Sequence, residues 1–200
     1  MRSIVLPGDQ IDGGAERSRN TYRSGDASFS KVLGIYDESR GDVVPLEGPW
    51  MPAANDSVVG TISDVKSKLY IVDIQYFGRA LLIPGKYDTY EFAAGDVLSA
   101  MVKDVEGRNT VILSDPQQLS GGVLVKVKPK KIPRIIGKKS TMVSQIAEAT
   151  DTRIVVGMNG LIWISGRNVA LAIEAIMKVQ NEAHTSGLTN SIRDFLISRK

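Results

Sequence analysis

The chain has 200 residues with 25 Lys and Arg, 22 Asp and Glu, one histidine and no cysteine, for a formal net charge of +3. The absent cysteine excludes disulfides, thiolate catalysis and cysteine-held zinc, and a single histidine excludes a multi-histidine metal centre, so no cofactor is expected. There is no run of apolar residues long enough to span a bilayer, and the stretch before Pro7-Gly8 is too short for a signal-peptide core; both predict a cytoplasmic protein with no membrane segment.

Hydrophobic residues make up 42% of the chain, and its 19 glycines recur at strand-length intervals. That pattern favours two or three small cores over one large one, and predicts a multidomain protein. Residues 1–49 read as a small all-β module: a strand at Ile4–Leu6, a Pro7-Gly8-Asp9 turn, a polar arm to Asn20, then extended segments near Tyr22, Ala27–Tyr36 and Asp42–Leu46. Few residues there can form a core, so the module is expected to pack on something else.

Residues 50–119 supply five strands, at Val58–Val65, Leu69–Ile74, Ala80–Ile83, Val97–Val105 and Thr110–Ser114. This number and length suit a closed barrel of the oligonucleotide-binding (OB) type, with a sandwich fragment as the rival.

Residues 120–200 change period. A strand at Val123–Val127 leads to short helices at Lys131–Ile136 and Thr141–Ala149, then strands at Arg153–Val156 and Leu161–Ile164. A long helix over Asn168–Ala183 follows, with Val169, Ala172, Ile173, Ile176 and Val179 on one face and Ser165 as its candidate cap. The order is β-α-α-β-β-α, followed by an amphipathic segment at Leu188–Ile197.

Charge is divided unevenly along the chain. Residues 1–120 hold 12 basic and 17 acidic side chains, whereas residues 121–200 hold 13 and 5. A polyanion is therefore drawn to the C-terminal part, although a basic patch also serves protein interfaces. Within it, Lys130, Lys131 and Arg134 run into Gly137-Lys138-Lys139-Ser140, a glycine turn that opens a helix. Helix-end amides and flanking lysines together suit the phosphates of a nucleic-acid backbone.

With Ile135-Ile-Gly-Lys-Lys-Ser-Thr-Met-Val-Ser-Gln-Ile146 between its first two helices, the last block resembles a KH domain. The barrel before it resembles the S1-like branch of the OB fold, and Val5-Leu-Pro-Gly-Asp9 with Thr21-Tyr22 and Gly25-Asp26 looks like a matching N-terminal module. The combination resembles the RNA-binding cap subunits of the archaeal exosome over essentially the whole chain. That resemblance implies a non-catalytic subunit in three copies on a hexameric ring of phosphorolytic exoribonuclease subunits. The N-terminal module would attach to the ring, and single-stranded RNA would be guided into it 3′ end first. The motif departs from the KH pattern at Ser140, where a second glycine is usual. Serine can cap the next helix, but it adds a Cβ where a nucleotide backbone would approach.

The RNA-binding candidates in the KH domain are Lys130, Lys131, Arg134, Gly137, Lys138, Lys139, Ser140 and Arg153. In the barrel they are Lys66, Lys68, Phe77, Arg79 and Arg108, all at turns near the second strand, where related barrels stack bases. Period two sends Tyr70, Val72, Ile74 and Tyr76 to one face, which equally suits a core; Tyr70 is read as structural and Phe77 as ligand-facing. His184 reads as a partner for a helix C-terminus. The alternation around Trp163 leaves open whether it faces a helix or protrudes. Two other classes remain: a free S1/KH translation or transcription factor, and a nuclease. The nuclease reading lacks an Asp-x-Asp pair or histidine cluster to hold a catalytic metal.

Overall fold

A computed structural model describes residues 2–11, 20–39, 41–67, 69–85, 90–107, 109–183 and 187–199. The contacts within it separate two compact units, Met1–Pro49 and Trp50–Lys200. Lys68, Arg108, His184 and most of the polar arm before Asn20 lie outside the described residues.

Among the described residues the first unit has six strands: β1 (Arg2–Val5), β2 (Gln10–Ile11), β3 (Thr21–Ser24), β4 (Ala27–Ser30), β5 (Gly34–Asp37) and β6 (Asp42–Pro45). They form two three-stranded sheets, ordered β1-β5-β6 and β2-β4-β3. The extended run Ala27–Tyr36 is thus two strands in different sheets. The break follows Ser30, whose buried hydroxyl donates to the Val32 carbonyl at 2.7 Å and holds the bend. The buried core consists of Val5, Ile11, Tyr36 and Val43. On the other face of the first sheet, Ile4, Ile35 and Val44 stand in cross-strand register, with Ile4 72% and Val44 48% exposed.

The second unit begins with a closed barrel of β7 (Ser57–Lys66), β8 (Leu69–Asp73), β9 (Arg79–Leu82), β10 (Val97–Glu106) and β11 (Thr110–Leu119), ordered β10-β11-β9-β8-β7. β10 closes it by pairing with both β11 and β7. Register shifts in β7 and β10 bend these ten-residue strands enough to close on themselves. β11 runs beyond the expected end at Ser114 because Asp115-Pro116 falls at one of these irregularities, where a proline costs no ladder bond. Inside lie Val58, Ile62, Val72, Ile74, Leu82, Leu98, Val102, Val111 and Leu113, so the face shared by Val72 and Ile74 is core.

The KH-like part follows: β12 (Val123–Lys126), a 3-10 turn at Pro129–Lys131, α1 (Ile132–Ile136), a second 3-10 turn at Lys138–Ser140, α2 (Thr141–Thr150), β13 (Thr152–Val156), β14 (Leu161–Gly166), α3 (Val169–Asn181) and α4 (Leu188–Ser198). The sheet order is β12-β14-β13, all antiparallel. Ile162 and Ile164 of β14 enter a core with Ile132, Ile135, Ile146, Ile176 and, from α4, Leu188 and Ile192. Ser165 lies within β14 and does not cap α3. Asn168 does so instead, its side-chain oxygen accepting from the Leu171 amide at 3.2 Å, since only the residue directly before the helix reaches those first N–H groups. No described helix is long and apolar enough to cross a membrane.

The other face of the KH sheet packs on the barrel. Trp163 and Leu161 are buried with Val59 of β7 and Leu119 of β11, and Val97 and Val155 pack against them. Trp163 therefore neither faces a helix nor protrudes. The β13–β14 turn docks onto the barrel wall through Asn159, which is only 4% exposed. Its amide nitrogen donates to the carbonyls of Val59 (2.7 Å) and Ile74 (2.8 Å), and its oxygen accepts from the Val59 amide at 3.3 Å. Beside it, Met158 N–H donates to the Ser57 carbonyl at 2.7 Å. A side chain on Gly157 would come within 2.2 Å of Asn159 Oδ1 and 2.6 Å of the Val59 nitrogen, so the approach requires glycine.

Asn159→Ala should lower stability by about 2–3 kcal/mol, the cost of leaving buried backbone groups unpaired. Asn159→Asp should be worse despite its shape, because a carboxylate cannot donate to two carbonyls. Thermal unfolding of both variants checks this; equal and negligible shifts would show that the turn does not fasten the barrel.

Candidate nucleic-acid interface

The loop between α1 and α2 is built around one obligatory glycine. Gly137 has φ +77°, and a Cβ there would lie 2.7 Å from the Met142 Cβ. Lys139 and Ser140 then adopt left-handed backbone, φ 53° and 61°, which costs a non-glycine residue about 1–2 kcal/mol. The turn is held by the Gly137 amide on the Pro133 carbonyl (3.0 Å) and by Thr141 Oγ1 donating to the Lys138 carbonyl (2.8 Å). The Ser140 side chain makes no cap bond to α2, contrary to the capping expected of it, because its left-handed backbone departs from the extended geometry of a capping residue. Lys138, Lys139 and Ser140 are all exposed beside the opening turn of α2.

The other basic candidates have different surroundings. Lys130 and Lys131 are half-buried, and burial lowers the pKa of the Lys130 ammonium from its ordinary value. Arg134 uses its Nε to donate to the Ala183 carbonyl at 3.0 Å, tying α1 to the chain just after α3. The Arg153 guanidinium lies 5.8 Å from the centre of the Trp163 ring. It follows the C-terminal end of α2, whereas Lys139 precedes its start, so about 15 Å of helix separates them. Arg153 and the loop lysines therefore do not form one cluster.

In the barrel, Phe77 is 71% exposed and leans on Tyr76 with ring centres 4.3 Å apart. Tyr76 is in turn edge-on to Trp50 at 6.1 Å. The exposed ring is firmly mounted, because the next residue, Gly78, has no room for a Cβ: it would sit 2.0 Å from the Asn109 carbonyl oxygen, which also accepts from the Arg79 amide at 2.7 Å. Arg79 and Lys66 are exposed, with Lys66 3.9 Å from Asp64. Tyr70 is half-buried against Phe92 and Tyr90, at 5.5 and 6.3 Å. Tyr90 and Phe92 lie in the connection before β10, where the alternating Tyr-Glu-Phe was the signal for an aromatic cluster around Tyr70. Lys126 Nζ donates to Gln75 Oε1 at 2.8 Å, a polar tie between the KH sheet and this end of the barrel.

Arg193 of α4 and Gln145 of α2, neither of them a residue expected from the sequence to bind RNA, line a groove with Lys139. Their signal was helical spacing: Thr141, Gln145 and Glu148 on one helix, Thr189, Arg193 and Ile197 on the other.

Comparison with known proteins places this architecture. A KH-domain family model matches residues 122–170. Over 99% of its length the chain is 40% identical to the exosome complex component Rrp4 of Thermococcus kodakarensis, covering 86% of that protein. It is 38% identical to Rrp4 of Pyrococcus abyssi, covering 99% of this chain and 83% of that protein. Against Rrp4 of Picrophilus torridus the identity is 37%, with 100% and 94% covered. A crystal structure assigned to the exosome complex RNA-binding proteins superposes with a TM-score of 0.65 at 30% identity, over 76% of this chain and 97% of that one. The chain belongs to the Rrp4 family of exosome complex components.

Proposed function

We propose that this protein is a non-catalytic RNA-binding cap subunit of an exosome, which captures single-stranded RNA and guides it into a ring of partner exoribonucleases while stabilising the complex. Family membership supports the assignment. The observation that carries the RNA-binding part is the pair Lys138 and Lys139, held exposed by a glycine-anchored turn at the head of α2 in the basic part of the chain. Phe77 and Arg79, on a turn fixed by Gly78, supply a stacking face and a cation on the barrel. The contacts are to phosphate and π-faces, which every RNA sequence offers. The subunit acts in the cytoplasm, in three copies on a hexameric phosphorolytic ring.

Attachment falls to residues 1–49, with 50–119 as the S1-like barrel and 120–200 as the KH domain. The row Ile4, Ile35 and Val44 supports this, as an apolar sheet face over a four-residue core is suited to burial against a neighbour. Chemistry belongs to the ring. Among the described residues no group of three or more Asp, Glu, His or Cys gathers to hold a metal.

Replacing Lys138 and Lys139 by alanine should weaken binding equally for unrelated single-stranded RNAs and reduce the logarithmic salt slope by about 1.4, two phosphate contacts. The melting temperature should not change. Fluorescence titrations at several sodium chloride concentrations measure this, and a loss confined to one sequence would show base reading instead.

Ile4→Asp combined with Val44→Asp should abolish co-elution with ring subunits on gel filtration while RNA binding by the isolated chain persists. Unchanged co-elution would place attachment elsewhere.

With inorganic phosphate, magnesium and labelled RNA, the purified chain should release no nucleoside diphosphate, and adding it to the ring should increase processing of long RNA tails. Release by the chain alone would overturn the non-catalytic assignment.

A further inference from the structure

α2 and α4 enclose a groove of about 790 Å³, within the range of small-molecule sites. Its walls are two helical stripes, with Lys139 at the head of one, Gln145 and Glu148 along it, and Arg193, Leu196 and Ile197 on the other. Three features point to a ligand with an anionic and a flat apolar part. Lys139 and Arg193 contribute cations with no ion pair to any described residue. Leu196 is buried and Ile197 is 68% exposed, giving the groove an apolar floor and rim. The Gln145 Nε2 is buried without a hydrogen-bond partner among the described residues, which is costly unless something else accepts from it.

We propose that this groove is a nucleotide subsite for single-stranded RNA. The phosphate lies between Lys139 and Arg193, the base lies on Leu196 and Ile197, and its polar edge meets the Gln145 amide and the Glu148 carboxylate. The inference rests on the RNA-binding reading above and extends it: RNA leaving the Lys138–Lys139 turn runs along α4 as well as over the loop. α4 thereby gains a role beyond covering the core with Leu188, Ile192 and Leu196.

The test uses the full chain and single-stranded oligouridylate carrying 4-thiouridine. Arg193→Glu should lower affinity about tenfold, the worth of one charged contact. Gln145→Leu should raise the melting temperature by about 2–4 °C, because an unpaired buried amide is removed. The same variant should nonetheless weaken RNA binding, a pair of opposite effects that a structural glutamine does not produce. Photocrosslinks should map to the α4 peptide containing Leu196 and Ile197. If RNA binds and responds to Lys138→Ala with Lys139→Ala while both groove variants bind normally, or if crosslinks avoid α4, the subsite is refuted and the RNA-binding reading stands. If the groove variants lose ring association and keep RNA affinity, the groove is a protein contact and the subsite is likewise refuted. If the wild-type chain binds no RNA at low salt, both readings fall.

Discussion

Three hydrogen bonds at one buried carboxamide fix how the barrel and the KH domain are arranged. Asn159, at the tip of the β13–β14 turn, engages the barrel backbone at Val59 of β7 and at Ile74, the residue just after β8. A carboxamide is suited to the task because it donates and accepts at one place, as a peptide group does, and so extends the barrel's own bonding pattern. Apolar burial of Trp163 and Leu161 on Val59 and Leu119 supplies area around the staple, while the staple sets the register. Because barrel and KH domain are joined in this way, basic contacts on the two cannot drift apart. A strand that meets one finds the other at a fixed distance, and that pre-organisation raises capture without requiring tight individual contacts.

The same docking explains the composition of the KH sheet. Sheets with one solvated face alternate apolar and polar residues, but β14 reads Leu-Ile-Trp-Ile because both its faces are covered. Ile162 and Ile164 meet the helices, whereas Leu161 and Trp163 meet the barrel. Gly122 reflects the same crowding: a Cβ there would lie 2.4 Å from the Trp163 ring. Arg153 over that ring is best understood as part of this seam, its charge spread against an indole face at the edge of the domain contact.

Period and punctuation made much of the fold legible. Five strand-length apolar runs spelled the barrel, and a change to helical spacing after Gly122 spelled the KH domain. What stayed hidden depended on contacts distant in sequence. Nothing local distinguishes Asn159 from any turn asparagine, since its partners are 85 and 100 residues away. The continuation of β11 past Ser114 stayed hidden because Asp115-Pro116 falls at an irregularity of its ladder with β10, and Ser165 reads as a cap until the strand containing it is known to reach Gly166. At the site, the loop lysines and Phe77 were visible as residue types on glycine turns. The surroundings of Lys130, Arg134 and Arg153 were not, because burial, a carbonyl from beyond α3 and an indole ring are supplied by tertiary packing. Gln145 and Arg193 form no motif, and only the packing of α4 on α2 brings them together.

Ser140 shows how the loop favours charge over close approach. Its backbone occupies the left-handed region that a glycine would enter without strain, so the turn presents a side chain where a glycine is usual. The added Cβ and hydroxyl limit how near a nucleotide backbone can come, which weakens the geometric clamp that base-specific reading requires. The two lysines before it act through longer, flexible side chains and tolerate that distance, because Coulomb attraction to phosphate falls off slowly compared with hydrogen bonding to a base edge. A loop of this kind offers charge at a distance rather than a close-fitting surface, and so suits a polyanion of any sequence.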